Sequence, residues 1–278
     1  MIGNGKALSS NQLRDWDRDG FLVIRDFVSP SELQMVSERI EFLVQQGSDN
    51  KGIQLDIDPA FREISSTDRS KQFRTLFHAA NSDSILREQY TFREKTLDTV
   101  EDLLGPNFVY YTDQTFLKPP GGSAAPLHQD NAYWDPYWEG PGKLSIWLAL
   151  DTSNLSNGCT HFIPGSHLKR LDHKTDWNED DVFGRKALGD LDHEMSQAVP
   201  IELQPGDCCI HHCETLHFSG ENRSETSRRG HVAIFFSSQT QYTDVPFEAE
   251  RGSDFFVHQF VPVRGVTYSG CVGGEQER

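Results

Sequence analysis

Apolar residues follow two different spacings along this chain, and the change falls near residue 105. Before it the period is helical. Residues 9–18 read as a short polar helix, followed by a strand at Phe21-Leu22-Val23-Ile24. A second helix has a defined start: Ser29 can cap it, Pro30 suits the first helical position, and Glu32 can complete a capping box. Leu33, Val36, Ile40 and Leu43 then fall three and four residues apart, which gives one apolar face. A third helical region runs near 83–104 through Leu86, Leu97, Val100, Leu103 and Leu104, and Gly105-Pro106-Asn107 stops it. Beyond that point the apolar runs are short and rich in β-forming residues. They cover 108–118, 143–151, 158–163, 199–203, 207–218 and 230–238, separated by Gly, Pro, Asn and Asp.

Helices followed by strands predict a mainly β fold, a sandwich or jelly roll packed by N-terminal helices. We expect a single domain over 1–278, with a helical part at about 1–105 and a β core at about 106–265. Residues 170–197 are polar and acidic, with Trp177 and Phe183 embedded in them, and read as a long loop that can act as a lid. The end of the chain, 270–278, reads as a flexible tail.

Composition narrows the functional classes. Of 278 residues, 36% are hydrophobic, enough for a sizeable core. The net charge of −16 argues against nucleic acid and anionic membrane surfaces as partners, since both call for a cationic face. No apolar run approaches the roughly 18–20 residues of a spanning helix. The N-terminus lacks an apolar signal core, and the C-terminus is not a Ser-Lys-Leu peroxisomal address. Five cysteines, an odd count, do not suggest a disulfide framework, so a reducing cytoplasm is expected.

The candidate chemistry starts at Leu127-His128-Gln129-Asp130. Residues two apart on an extended strand project to the same face, so His128 and Asp130 can bind one metal ion. A second, distant imidazole would complete two nitrogens and one carboxylate on one side of an iron, with the opposite positions open. That facial arrangement serves non-haem Fe(II) oxygenases. Downstream, His211, His212 and His217 are all candidates for the third ligand. Arg228 and Arg229 follow, and a planar guanidinium suits the far carboxylate of a dicarboxylic co-substrate. Cys208, Cys209 and Cys213 lie beside the histidines but without the paired spacing of a structural zinc site.

At this point the chain resembles the phytanoyl-CoA dioxygenase family of Fe(II)- and 2-oxoglutarate-dependent oxygenases. The resemblance rests on Lys118-Pro119-Pro120, Leu127-His128-Gln129-Asp130, and Trp147 with Asn157-Gly158-Cys159. It continues through Pro164-Gly165-Ser166-His167 and Pro205-Gly206-Asp207 to His217-x-Ser219-Gly220-x-Asn222 with Arg228, in that order. It implies a double-stranded β-helix (jelly-roll) core, with His128, Asp130 and His217 as iron ligands. It also implies Arg228 on the distal carboxylate of 2-oxoglutarate, Gln114 and Trp147 as further co-substrate contacts, and dioxygen as second co-substrate. Asp130 leaves no place for a halide on the iron, so hydroxylation, desaturation, epoxidation and ring formation are the expected outcomes.

The loop Tyr133-Trp134-Asp135-Pro136-Tyr137-Trp138 follows Asp130 directly. Its aromatics, Tyr133, Trp134 and Trp138 in particular, are expected to contact a mostly apolar small molecule, such as a secondary-metabolite skeleton. A partner-binding patch is the alternative use of such a loop. No basic cluster nearby suits the polyphosphate of an acyl-CoA. Acyl-CoA hydroxylation, a non-catalytic jelly-roll binder and a zinc hydrolase are the rival functions.

Overall fold

A computed structural model of the chain describes residues 5–46, 54–57, 74–77, 79–135, 137–174, 186–243 and 261–264. The first helix, α1 (Ser10–Asp19), leads into β1 (Phe21–Ile24) and then α2 (Pro30–Gln46). The expected capping box starts α2: Ser29 N donates to Glu32 Oε2 (2.7 Å), and Glu32 N donates to Ser29 Oγ (3.3 Å). Val36, Ile40 and Leu43 are buried on its inner face. Two strands follow, β2 (Gln54–Ile57) and β3 (Arg74–Phe77).

The region expected to be one helix over 83–104 is broken. After a short α3 (Ala79–Ser82), it comprises α4 (Ser84–Leu86), a π-helical turn at Arg87–Thr91 and α5 (Glu94–Leu104). The wider turn carries Tyr90 into the core, where its hydroxyl donates to Ile146 O (2.8 Å). A straight helix would face Leu86 and Leu97 inward but leave this buried hydrogen bond unmade.

The remaining strands and helices are β4 (Phe108–Lys118), β5 (Ala125–His128), α6 (Asn131–Trp134), β6 (Trp138–Glu139), β7 (Lys143–Ala149) and β8 (Thr160–Phe162). Next come β9 (His173–Lys174), β10 (Lys186–Ala187), α7 (Asp192–Ser196), β11 (Val199–Pro200) and β12 (Cys208–His212). The last are β13 (His217–Ser219), β14 (Arg228–Ser237), β15 (Gln241–Tyr242) and β16 (Val261–Arg264). The main antiparallel sheet runs β1-β12-β7-β14-β4-β3-β2, with β16 also on β4. A second sheet runs β11-β8-β13-β5. Together they form a double-stranded β-helix, the jelly roll expected from the chain.

Strand alternation divides the core. Leu144, Ile146, Leu148, Ala233 and Phe235 pack with Val36 and Ile40 of α2. Trp147, Ala149, Val232, Ile234 and Phe236 face the other way and pack with Phe162 of the second sheet. A β-bulge in β4 changes the alternation midway. Ile234 pairs with Thr112 and Phe235 with Tyr110, so Tyr111 is the extra residue. Before the bulge Val109 and Tyr111 join the inner core. After it Gln114, Phe116 and Lys118 face inward instead. An unbulged strand would present Asp113, Thr115 and Leu117 there.

Three sequence expectations change in detail. The N-terminal part carries more than the one strand expected at Phe21–Ile24, because β2 and β3 also join the main sheet. The 207–218 run splits into β12 and β13, which lie in different sheets. The 170–197 segment is not structureless: β9 pairs with β10, and Leu171, Ala187 and Leu191 pack with Leu127 and Leu216. Trp177, Phe183, Pro136 and the 270–278 tail lie outside the described residues.

Candidate metal centre and co-substrate pocket

His128 ends β5 and sits directly opposite His217 of β13, with ring centroids 4.2 Å apart. Asp130 does not share that strand, contrary to the pleat expected from the His-x-Asp spacing. Its backbone is helical (φ −56, ψ −36) and opens α6. The residue between the two makes this turn. Buried Gln129 donates through Nε2 to Lys169 O (2.9 Å) and Glu214 O (2.8 Å), and its Oε1 accepts from Leu171 N (2.9 Å). Its backbone N donates to His173 Nε2 (3.0 Å). The start of the 170–197 segment is therefore tied to the loop that carries Asp130.

One ligand atom from each of His128, Asp130 and His217 lies within 4.8 Å of the other two. His128 Nδ1 is 2.7 Å from Pro126 O, and His217 Nδ1 is 2.9 Å from Thr215 O. Carbonyls only accept, so both Nδ1 atoms carry the proton and both Nε2 lone pairs are free. Those Nε2 atoms face Asp130 Oδ1 at 3.6 and 3.4 Å. Burial holds His128 below the ordinary imidazole pKa, in the neutral form that a metal needs. Burial opposes charge on Asp130, but His217, His128 and His211 outweigh it and hold the carboxyl well below its usual range. Two imidazole nitrogens and a carboxylate suit a divalent first-row metal such as Fe(II).

Two neighbours complete this cluster: His211, a candidate ligand by sequence, and Ser145, which the sequence reading missed. His211 Nε2 lies 2.9 Å from Asp130 Oδ2, and Ser145 Oγ donates to the same oxygen at 3.0 Å. His211 therefore stands behind the carboxylate rather than among the three. His212 points to the opposite face, beside Trp16 and His167.

A cavity of about 230 Å³ extends from the cluster between the two sheets. Arg228 lines it and is buried, with no hydrogen-bond partner for Nε among the described residues. Its guanidinium lies 5.4 Å from the ring centroid of Trp147. Gly230 makes room for that ring, since a Cβ there would fall 1.8 Å from the indole. Burial pushes the Arg228 pKa down to about 10. The neighbouring Arg229 is committed elsewhere, with Nε and Nη2 each donating to Asp151 at 2.8 Å. Gln114, Lys118 and Ser219 also line the cavity, and Lys118 Nζ donates to Ser219 Oγ at 2.8 Å. Asn222 of the same motif is structural here: Nδ2 donates to Lys118 O (3.0 Å) and Thr226 O (2.8 Å).

Of the aromatic loop, Tyr133 and Trp134 line the cavity. Trp138 does not. It is wholly buried in the core, with its ring 6.0 Å from that of Tyr111. Phe77, Phe116, Phe162 and Phe218 supply walls that sequence reading missed, because they come from four separate strands and connections.

Residues 16–230 match the phytanoyl-CoA dioxygenase (PhyH) family model, and the chain belongs to that family. All the cavity residues discussed above fall within the match. A probable phytanoyl-CoA dioxygenase of Caenorhabditis elegans is 28% identical over 237 residues, covering 81% of this chain and 74% of that protein. The peroxisomal phytanoyl-CoA dioxygenase of Homo sapiens is 25% identical over 247 residues, covering 87% and 72%. Among solved structures, the non-haem α-ketoglutarate-dependent carbocyclase SnoK from nogalamycin biosynthesis shares the fold. Its TM-score is 0.69 at 21% identity, over 95% of this chain and 98% of that one.

Proposed function

We propose that this chain is an Fe(II)- and 2-oxoglutarate-dependent dioxygenase that hydroxylates an unactivated C–H bond of a mostly apolar small molecule. The observation that carries the reading is a single cavity with the His128, Asp130 and His217 donors and the buried Arg228 guanidinium on its walls. A zinc hydrolase or a pure binder has no use for that cation; a dicarboxylate bound to the metal does. Iron, 2-oxoglutarate and dioxygen would together supply the oxidising power.

The chain's own groups then have defined work. His128, Asp130 and His217 hold the metal from one side. Arg228, flanked by Trp147, pairs with the far carboxylate of 2-oxoglutarate, and Gln114 adds a polar contact. The two sheets exclude water from the reacting atoms. Tyr133 and Trp134 form a substrate wall close to the metal. Free, buried cysteines at 159, 208, 209 and 213 are in keeping with a reducing cytoplasmic setting. Among the described residues no helix is long and apolar enough to cross a membrane.

The relatives named phytanoyl-CoA dioxygenases favour a second reading, in which an acyl-CoA is the substrate. Succinate release separates the two. The purified enzyme with Fe(II), 2-oxoglutarate and oxygen should release succinate in response to uncharged polycyclic or terpenoid metabolites and not to branched acyl-CoA. Stimulation by acyl-CoA alone selects the second reading, and no 2-oxoglutarate-dependent succinate under any condition rejects both.

A further inference from the structure

We propose that His211 and Ser145 are positioning residues that reserve one oxygen of Asp130, so that only Oδ1 is offered to the metal. This rests on the metal-centre reading above. A carboxylate can bind a metal through one oxygen or through both, and chelation through both takes a coordination position that the co-substrates need.

The two Asp130 oxygens have different surroundings. Oδ1 faces the free Nε2 atoms of His128 and His217 at 3.6 and 3.4 Å. Oδ2 faces away from them, toward His211 Nε2 at 2.9 Å and Ser145 Oγ at 3.0 Å. The two donors form a rigid pair: His211 of β12 and Ser145 of β7 are directly opposite in the main-sheet register. Both are buried, at 5% and 1% exposure. The His211 ring is fixed between those of Phe162 and His217, at centroid distances of 5.0 and 4.7 Å. Nε2 donates to the carboxylate, and Nδ1 has no partner among the described residues. Turning Oδ2 toward a metal would strand both buried donors.

The ligand loop is thus held from the opposite sheet. Asp130 sits beside a second-sheet strand, and the groups that set its angle belong to the main sheet. The pair acts through Asp130, from positions on the wall of the same cavity. It sets how many positions on the metal stay open.

The test counts water on Mn(II) bound to the full-length protein, read as broadening of its electron-paramagnetic signal in ¹⁷O-enriched water. Wild-type protein without 2-oxoglutarate should hold about three exchangeable waters, the octahedral complement of three single-atom ligands. His211→Phe combined with Ser145→Ala frees Oδ2 and should lower the count to about two by chelation. His211→Phe alone should move it the same way if the double variant does not fold. His211→Gln, which keeps an N–H donor, should restore about three, whereas a merely structural role would treat Gln and Phe alike. A count unchanged in the Phe variants, or raised because Asp130 leaves the metal, overturns the proposal while the metal centre stands. Wild-type protein that binds no Mn(II) removes the metal-centre reading and the proposal together.

Discussion

The guanidinium carbon of Arg228 lies over the indole of Trp147, 5.4 Å from the ring centroid, and the ring occupies space that only a glycine at 230 leaves open. β14 pairs with β7 so that Val232 is opposite Trp147, and Gly230 and Arg228 follow on the same face. The indole therefore crosses the glycine to reach the arginine. Gly230→Ala should displace the ring and loosen Arg228. A desolvated cation–π contact is worth about 2 kcal/mol, so 2-oxoglutarate affinity should fall by up to roughly 30-fold. Calorimetric titration of metal-loaded protein checks this, with metal affinity expected to stay unchanged.

The adjacent arginines should separate cleanly. Losing a charge-assisted pair is worth about 1.5–3 kcal/mol, so Arg228→Ala should weaken 2-oxoglutarate by about 10- to 100-fold. Arg229→Ala removes the bidentate contact to Asp151, which is partly exposed. It should cost about 1 kcal/mol of stability or less and leave 2-oxoglutarate affinity alone. The same titration, paired with thermal unfolding, distinguishes them. A co-substrate defect in Arg229→Ala alone would reverse the assignment.

Much of this was legible in the chain. The Ser29–Glu32 cap, the strand at 108–118 and the facing of His211 and His212 to opposite sides follow from local chemistry and period-two alternation. The candidate set of His128, Asp130, His217 and Arg228 came from spacing together with a family resemblance. Other features were not legible because they depend on distant pairing. The bulge at Tyr111 reverses which residues of β4 face the cavity, and no local residue type announces it. Asp130 reaches the cluster through a turn clamped by Gln129, whose partners are 40 and more residues away. His211 and Ser145 meet Asp130 only through the pairing of β12 with β7 and the approach of the Asp130 turn to that sheet. Trp138 looked like part of an aromatic wall, yet the chain turns after α6 and buries it.

The two loop tryptophans should accordingly behave differently. Trp134→Ala, on the cavity wall, should reduce substrate-coupled turnover more than 2-oxoglutarate binding. Trp138→Ala should act on the fold, costing about 3–5 kcal/mol as a large-to-small core change. Denaturant unfolding and the ratio of product to succinate test the pair. Equal loss of coupling in two stably folded variants would place Trp138 in the substrate site.

Acid should destabilise the fold through His212. Burial holds its pKa at about 4 against the ordinary 6.5, and its Nδ1 accepts from Glu214 N at 3.1 Å, as the neutral ring requires. A base with a depressed folded pKa contributes fully above the unfolded value. That contribution is lost as pH falls from 6.5 toward 4, because the unfolded chain takes up the proton first. The loss amounts to at most about 3 kcal/mol, less some solvent screening. His212→Asn keeps an acceptor and cannot titrate. Urea midpoints measured at several pH values across this window should fall less steeply for the variant than for the wild type.

The central claim is that His128, Asp130 and His217 hold one iron to which 2-oxoglutarate binds. Anaerobic titration of the purified protein with Fe(II) in the presence of 2-oxoglutarate tests it most directly. A weak visible charge-transfer band should appear, saturate at about one iron per chain and be abolished in Asp130→Ala and His217→Ala. No band in the wild type, or a band that survives His217→Ala and disappears in His212→Asn, would contradict it.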